Sequence, residues 1–253
     1  MKQRVISGFI IGLLTLTSVL IGGLYFKAVV IFVGLWGSYE FVSSRNHPVN
    51  WLEFIFMVVF VLFINLFYQY SLNIILLYIV CLITLSIFDE KISFEEVCVD
   101  FIESIMLGVS THYMLEIQSD SLWFFGYIVI VAYLTDLFAF FIGIKFGKHR
   151  LNERISPKKS IEGAIGGWGL GALSSFIYAA CFNFFDKGPL FIVICSLVLP
   201  ITSEIGDLAF SLIKRHYGIK DYSKLIPGHG GLLDRLDSLI FVLLIYGGLT
   251  VII

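Results

Sequence analysis

Apolar runs near residues 5–26, 28–42, 51–69, 71–88, 98–116, 121–145, 163–183, 189–210 and 237–253 succeed one another with short polar breaks, and this succession constrains the chain more than any motif in it. About 20 apolar residues carry a helix across the hydrocarbon core of a bilayer. Backbone that faces lipid must satisfy its own hydrogen bonds, so runs of this kind fold as helices. The expected architecture is all-α, a polytopic integral membrane protein with about nine transmembrane helices. Only 14% of the 253 residues are charged, where a soluble domain has about 25%. The mean hydropathy of +0.93 points the same way. No length is left for a separate soluble domain, so residues 1–253 read as a single membrane domain. Within it, 1–118 form N-terminal scaffold spans, and 119–253 hold the spans and loops that carry most of the chemically useful side chains.

Orientation follows from lysine and arginine rather than from the net charge of -2. With the N-terminus in the cytoplasm and nine alternating spans, 15 of the 17 basic residues fall at cytoplasmic ends, and only Lys27 and Lys187 fall outside. The polar loops at 146–162 and 211–236 then open on the same cytoplasmic face. The first run begins with Lys2 and Arg4 but is too long for a signal-peptide core and shows no small-residue cleavage site, so it reads as a retained span. Cys81, Cys98, Cys181 and Cys195 are scattered singly and read as small buried hydrophobes, neither metal ligands nor disulfides. Glu40 reads as an acid at the membrane interface or as the partner of a basic residue. Asp100 and Glu103 read as a solvated helix end.

Chemistry gathers in the second half. Asp136 lies inside the sixth run, where an ionisable residue is by default a candidate for function. The loop after it is basic and ends in a helix-start signal: Ser160 as cap, Glu162 in the first turn, Pro157 just upstream. Free N–H groups at that start, with Lys158 and Lys159 beside them, suit an anion, and the same charges suit an anchor for anionic lipid. Gly163, Gly167 and Gly171 are spaced as a helix-packing seam. The segment IGIKFGKH lacks the spacing of a nucleotide-binding P-loop.

Glu204 and Asp207 stand at i, i+3 on the eighth run, with Ser211 four residues further on, so the three share a helix face. Asp234 and Asp237 repeat the i, i+3 pair directly after Gly228-His229-Gly230-Gly231. A hard divalent cation such as magnesium takes a few carboxylates, water and substrate phosphate oxygens, a need that Asp207 and Asp234 meet. The plain alternative for each aspartate alone is an ion pair with Lys214, Arg215 or Arg235. Glycines around His229 allow close backbone approach to a ligand, and the basic side chains can neutralise phosphate. His229 itself reads as a phosphate donor or a turn-stabilising side chain.

The stretch Ser211, Lys214-Arg215, Lys220-Asp221, Leu225-Ile226-Pro227-Gly228-His229-Gly230-Gly231, Leu233-Asp234-Arg235, Asp237 resembles the signature of the phosphatidate cytidylyltransferase (CDP-diacylglycerol synthase) family. Gly206-Asp207-Leu208 and Ile155-Ser156-Pro157-Lys158-Lys159-Ser160 with Glu162-Gly163 resemble further blocks of it, so the likeness covers about residues 130–245. The chain departs from the pattern twice. Phe210 stands where the family usually has an acid, and Leu137-Phe138 precede Ala139-Phe140 where it usually has Thr or Ser and then Gly. Neither departure touches Asp207 or Asp234.

The resemblance implies transfer of a cytidylyl group from CTP to phosphatidic acid, giving CDP-diacylglycerol and pyrophosphate with Mg2+ as cofactor. It implies Asp207 and Asp234 as metal ligands and, with Lys214 and Arg215, as the catalytic group. Lys158, Lys159, Ser160, Ser211, Lys220, His229, Gly230, Gly231 and Arg235 would contact substrate phosphate, supported by Asp136, Asp221 and Asp237. The implied partners are CTP, phosphatidic acid and membrane lipids, with a homodimer left open and no nucleic acid. Two other readings stay open: a CTP-dependent polyprenol or phytol kinase-like enzyme, and a non-catalytic lipid-binding paralogue. The expected location is the membrane, the cell membrane in a bacterium, with the active site facing the cytoplasm.

Overall fold

The computed structural model describes residues 13, 15–45, 48–90, 92–226 and 230–252. Lys2, Arg4, Lys91 and His229 therefore lie outside the described residues, as do Pro227 and Gly228. Among the described residues eight helices of more than three turns follow one another: α1 (Gly23–Ser43), α2 (Trp51–Leu66), α3 (Ser71–Phe88), α4 (Phe94–Asp120), α5 (Leu122–Phe146), α6 (Ile161–Cys181), α7 (Pro189–His216) and α8 (Leu233–Ile252). Among the described residues six segments are long and apolar enough to cross a membrane: Gly23–Ser43, Tyr68–Phe88, Leu122–Phe146, Ile161–Cys181, Pro189–His216 and Leu233–Ile252.

The helical class is as expected, with three differences of detail. The loop before α6 contains an antiparallel hairpin, β1 (Arg150–Asn152) with β2 (Ser156–Ser160), pairing Arg150 with Ser160 and Asn152 with Ser156. Pro157 sits inside β2, where it breaks helix and is tolerated because a two-stranded ribbon has edges everywhere. The expected division between the first two runs near residue 27 falls instead at Gly22 and Gly23, both at positive φ (64° and 54°), a backbone conformation that glycine adopts freely. Helix α2 has only 16 residues, about 24 Å at 1.5 Å per residue, short for a bilayer core.

The chain packs as two compact units, residues 1–116 with 222–233, and 117–221 with 234–253. In the first, Phe60 lies against Tyr78 with ring centroids 4.2 Å apart, and Tyr78 shares a 2.6 Å hydrogen bond with Ser104. Asn65 donates to Thr111 at 2.9 Å. Arg45 is buried among Glu53 at 2.7 Å, Asp100, and Glu103 at 3.4 Å. Asp100 and Glu103 are thus not a solvated helix end: burial in a helix bundle requires that carboxylates be paired, and Arg45 pairs them. Glu40 is likewise fully buried rather than interfacial, and its hydrogen-bond partners among the described residues, Trp36, Ser223, Leu232 and Leu233, are not basic.

In the second unit α5 and α6 approach most closely. Cβ atoms at Gly163 and Gly167 would meet the Ala139 carbonyl at 2.8 Å and the Ala139 methyl at 2.7 Å, and one at Gly171 would run into Thr135. The glycine spacing does make a packing seam. Between α7 and α8, Phe210 is fully buried and meets Phe241 edge-on at 6.3 Å. All four cysteines are free thiols, but only Cys195 is buried. Cys98 and Cys181 are exposed and Cys81 is half-buried, so the expectation of four small buried hydrophobes holds for Cys195 alone.

Candidate functional site

A cavity of about 690 Å³ opens in the second unit between α5, the hairpin, the start of α6 and the middle of α7. Small-molecule sites run from about 300 to 1,000 Å³. Its polar lining is Asp136, Arg150, Ser156, Lys158, Lys159, Ser160, Glu204 and Asp207, and its apolar lining includes Ala139, Phe140 and Ile144.

Each polar group is there for a local reason. Ser160 ends β2 and caps α6, accepting the Gly163 N–H at 3.1 Å. Glu162 accepts the backbone N–H groups of Lys148 (3.0 Å) and His149 (3.2 Å) and meets His149 Nδ1 at 2.6 Å, tying the start of the hairpin loop to the first turn of α6. The basic hairpin is thereby held over the seam, and Lys159 reaches down from it to α7. Its Nζ lies 3.1 Å from Glu204 Oε2 and 2.8 Å from Asp207 Oδ2. Gly167 makes room for this, since a Cβ there would stand 2.8 Å from Glu204 Oε1.

Of the carboxylates that line the cavity, two oxygens are buried without a hydrogen-bond partner among the described residues, Asp136 Oδ1 and Glu204 Oε1. One ammonium therefore faces more carboxylate than it neutralises. Burial alone would lower the Lys159 pKa, but the carboxylates of Asp207 and Glu204 outweigh it and hold the ammonium above the usual lysine range. Excess hard oxygen donors beside a cavity suit a divalent cation in their chemistry. Among the described residues no three His, Cys, Asp or Glu side chains stand close enough to hold an ion by themselves.

The structure thus brings Asp136, Lys158, Lys159, Ser160 and Asp207 to one cavity. Ser211 lies one turn along α7, its hydroxyl 3.5 Å from Asp207 Oδ1. Asp234 and Lys214 do not line the cavity. They form a buried ion pair at 2.6 Å between the first turn of α8 and the end of α7, so the plain reading of Asp234 as an ion-pair partner describes its geometry. Asp237, one turn along α8, is within electrostatic reach of Asp207, Asp136 and Lys214. Arg215 is exposed and donates to the carbonyls of Ile155 (3.3 Å) and Ile219 (3.0 Å), bracing the hairpin. Lys220, Asp221 and Arg235 are exposed, and the Arg235 carbonyl accepts from Tyr133. Gly230 and Gly231 belong to the first unit, where Gly230 forms a backbone bridge with Ile226. Glu204 and Arg150 line the cavity although only the first stood out in sequence, one i, i+3 step before Asp207. Arg150 carried no signal beyond its place in a basic loop.

Apolar helices around a cavity lined by paired and unpaired charge define a multi-span membrane protein with a built polar site. The chain belongs to the cytidylyltransferase family, whose sequence pattern matches residues 2–252. A phosphatidate cytidylyltransferase of Bacillus subtilis (strain 168) is 29% identical over 259 aligned residues, which cover 96% of this chain and 95% of that protein. Proteins of the same name from Staphylococcus haemolyticus and Staphylococcus aureus (strain COL) are 37% and 35% identical over 154 and 156 residues. Those two alignments cover 61% of this chain and 59% of each relative.

Proposed function

We propose that this chain is a phosphatidate cytidylyltransferase, joining the cytidylyl group of CTP to phosphatidic acid with release of pyrophosphate. The observation that carries the reading is family membership along residues 2–252. The cavity in which Lys159 bridges Glu204 and Asp207 supplies chemistry that fits it.

A phosphate monoester has a second pKa of about 6, so the attacking oxygen of phosphatidic acid is ionised near neutral pH and needs no strong base. The difficulty is bringing two polyanions together. Lys158, Lys159 and Arg150 draw phosphate into the cavity, with the capped start of α6 contributing its positive dipole end beside Ser160. Phe140 and Ile144 on the same wall suit the glycerolipid end, entering sideways from the bilayer. Asp207 and Asp234 are the proposed Mg2+ ligands, with Asp136 and Asp237 in support, and the bound ion would neutralise the triphosphate and the leaving pyrophosphate. Lys214, held against Asp234, keeps that aspartate oriented. Arg215, Lys220, Arg235, Ser211 and the glycines flanking His229 complete the polar set that the family resemblance implies.

The same reading carries the nine-span topology with a cytoplasmic N-terminus and a cytoplasmic active site, supported by 15 of 17 basic residues on that side. Purified chain in detergent, given Mg2+, phosphatidic acid and CTP labelled at the α-phosphorus, should form a chloroform-soluble labelled product and unlabelled pyrophosphate. Label passing to lipid only from the γ-phosphorus would replace the reading with that of a kinase.

A further inference from the structure

Four partners among the described residues single out Glu40. This carboxylate sits on α1, fully buried, in a segment with no other acid. Its Oε1 accepts from Trp36 Nε1 (3.0 Å), the Ser223 hydroxyl (2.6 Å) and the Leu232 N–H (2.9 Å), and its Oε2 accepts from the Leu233 N–H at 2.8 Å. Three of the four donors belong to the stretch 222–233. The stretch is anchored to the same helix again where Tyr222 meets Phe41 edge-on at 5.5 Å, and Leu233 packs beside Gly37. It is closed on itself by the bridge from Ile226 to Gly230, with N···O distances of 2.9 and 3.2 Å. Gly231 is buried with both Glu40 oxygens against it, so that a Cβ at this position would stand 2.7 Å from each.

A buried carboxylate is costly in a membrane protein unless its lone pairs are filled, and here they are filled by Trp36 of the same helix and by backbone and a serine of one distant loop. Two of those donors, Leu232 and Leu233, are N–H groups at the start of α8, which no helical carbonyl can satisfy. Asp234 follows Leu233 in the chain and lies in the first turn of that helix.

We propose that Glu40 is a positioning residue for the transferase reaction. It clamps Ser223 and the segment Gly231–Leu233 and sets the start of α8, the turn from which Asp234 projects. This rests on the transferase reading for its catalytic consequence but not for the clamp itself. Gly231 is the matching half of the device, because only glycine lets the loop backbone lie against the carboxylate.

The test uses the full chain in detergent micelles. In Glu40→Gln, where an amide NH2 replaces one accepting oxygen, backbone hydrogen exchange at Leu232 and Leu233 should rise about 10- to 100-fold while α5 and α6 stay protected. The kcat should fall by a similar factor with the KM for CTP within about 3-fold, since the residue touches no substrate. Gly231→Ala should also lower kcat, and adding Glu40→Asp, one methylene shorter, should restore part of the loss. Should Glu40→Gln not accumulate folded, Ser223→Ala removes one donor only and should shift exchange and kcat in the same directions by less. Unchanged exchange at Leu232 and Leu233 overturns the clamp, and so does a Gly231→Ala loss that Glu40→Asp deepens. If the unaltered chain makes no lipid product, the transferase reading fails and the exchange result alone decides the clamp.

Discussion

Two charge clusters in this protein each set one basic side chain, Arg45 or Lys159, among carboxylates, and they differ in what can reach them. In the first unit Arg45 and its carboxylates Glu53, Asp100 and Glu103 have side chains no more than 2% exposed. In the second, Lys159 is 19% and Asp207 31% exposed, and both line a cavity large enough for a substrate. A sealed cluster can only stabilise or specify packing, because nothing can reach it. The open one keeps an excess of carboxylate oxygen facing a space that a cation and a phosphate can enter. Charge in an apolar chain therefore does not by itself mark function, and access decides between the two.

The comparison can be broken by removing one charge from each side. On the catalytic side Asp234→Asn should lower turnover about 100- to 1,000-fold per folded molecule, read as labelled lipid per mole of monodisperse chain, beside the fall in melting temperature that breaking its buried pair with Lys214 brings. Near-normal turnover would remove Asp234 from the proposed metal site. On the sealed side Arg45→Ala leaves three carboxylates buried without their arginine, a loss of about 3–5 kcal/mol. It should appear as a lower melting temperature and poor yield, with activity per folded molecule retained. If Arg45→Ala is instead stable and inactive, the sealed cluster is functional and the contrast fails.

Subtler changes sharpen the same line. Gly167→Ala drives a methyl against Ala139, the Thr135 carbonyl and Glu204 Oε1, at about 1–3 kcal/mol, and should open the α5–α6 seam. Both melting temperature and the KM for phosphate-bearing substrate should suffer. The smallest expected effect is one of pH. The Lys159 pKa is raised above its unfolded value of 10.5, so the stability from its ion pairs is fully present below that value and is lost only as pH rises through the higher folded one. Between pH 6 and 9 Lys159→Arg and the unaltered chain should therefore show melting temperatures that run parallel.

Much of this was legible in sequence. Among the described residues the apolar runs fall on helices, with ends that differ by up to six residues, as at 189–210 against Pro189–His216, because in lipid the backbone has few other choices. The Ser160 cap, the Gly163-Gly167-Gly171 seam and the shared face of Glu204 and Asp207 all follow from helical spacing, which is local. What depended on distant partners was not legible. Asp100 and Glu103 read as a solvated end because Arg45 lies 55 residues from the first of them. Glu40 gave no hint of a loop that begins 183 residues later. Phe210, the departure in the signature, fills an apolar contact with Phe241, a compensation visible only once α7 and α8 are packed.

The central claim, that the open cluster is the reaction site, is tested most directly by Asp207→Asn. This change keeps the shape of the side chain and removes the carboxylate that Lys159 meets at 2.8 Å. Transfer of α-phosphorus label from CTP to phosphatidic acid is measured beside the melting temperature of the same sample. The account predicts turnover lower by about 100-fold or more with the melting temperature nearly unchanged. Turnover within a few-fold of the unaltered chain would contradict it.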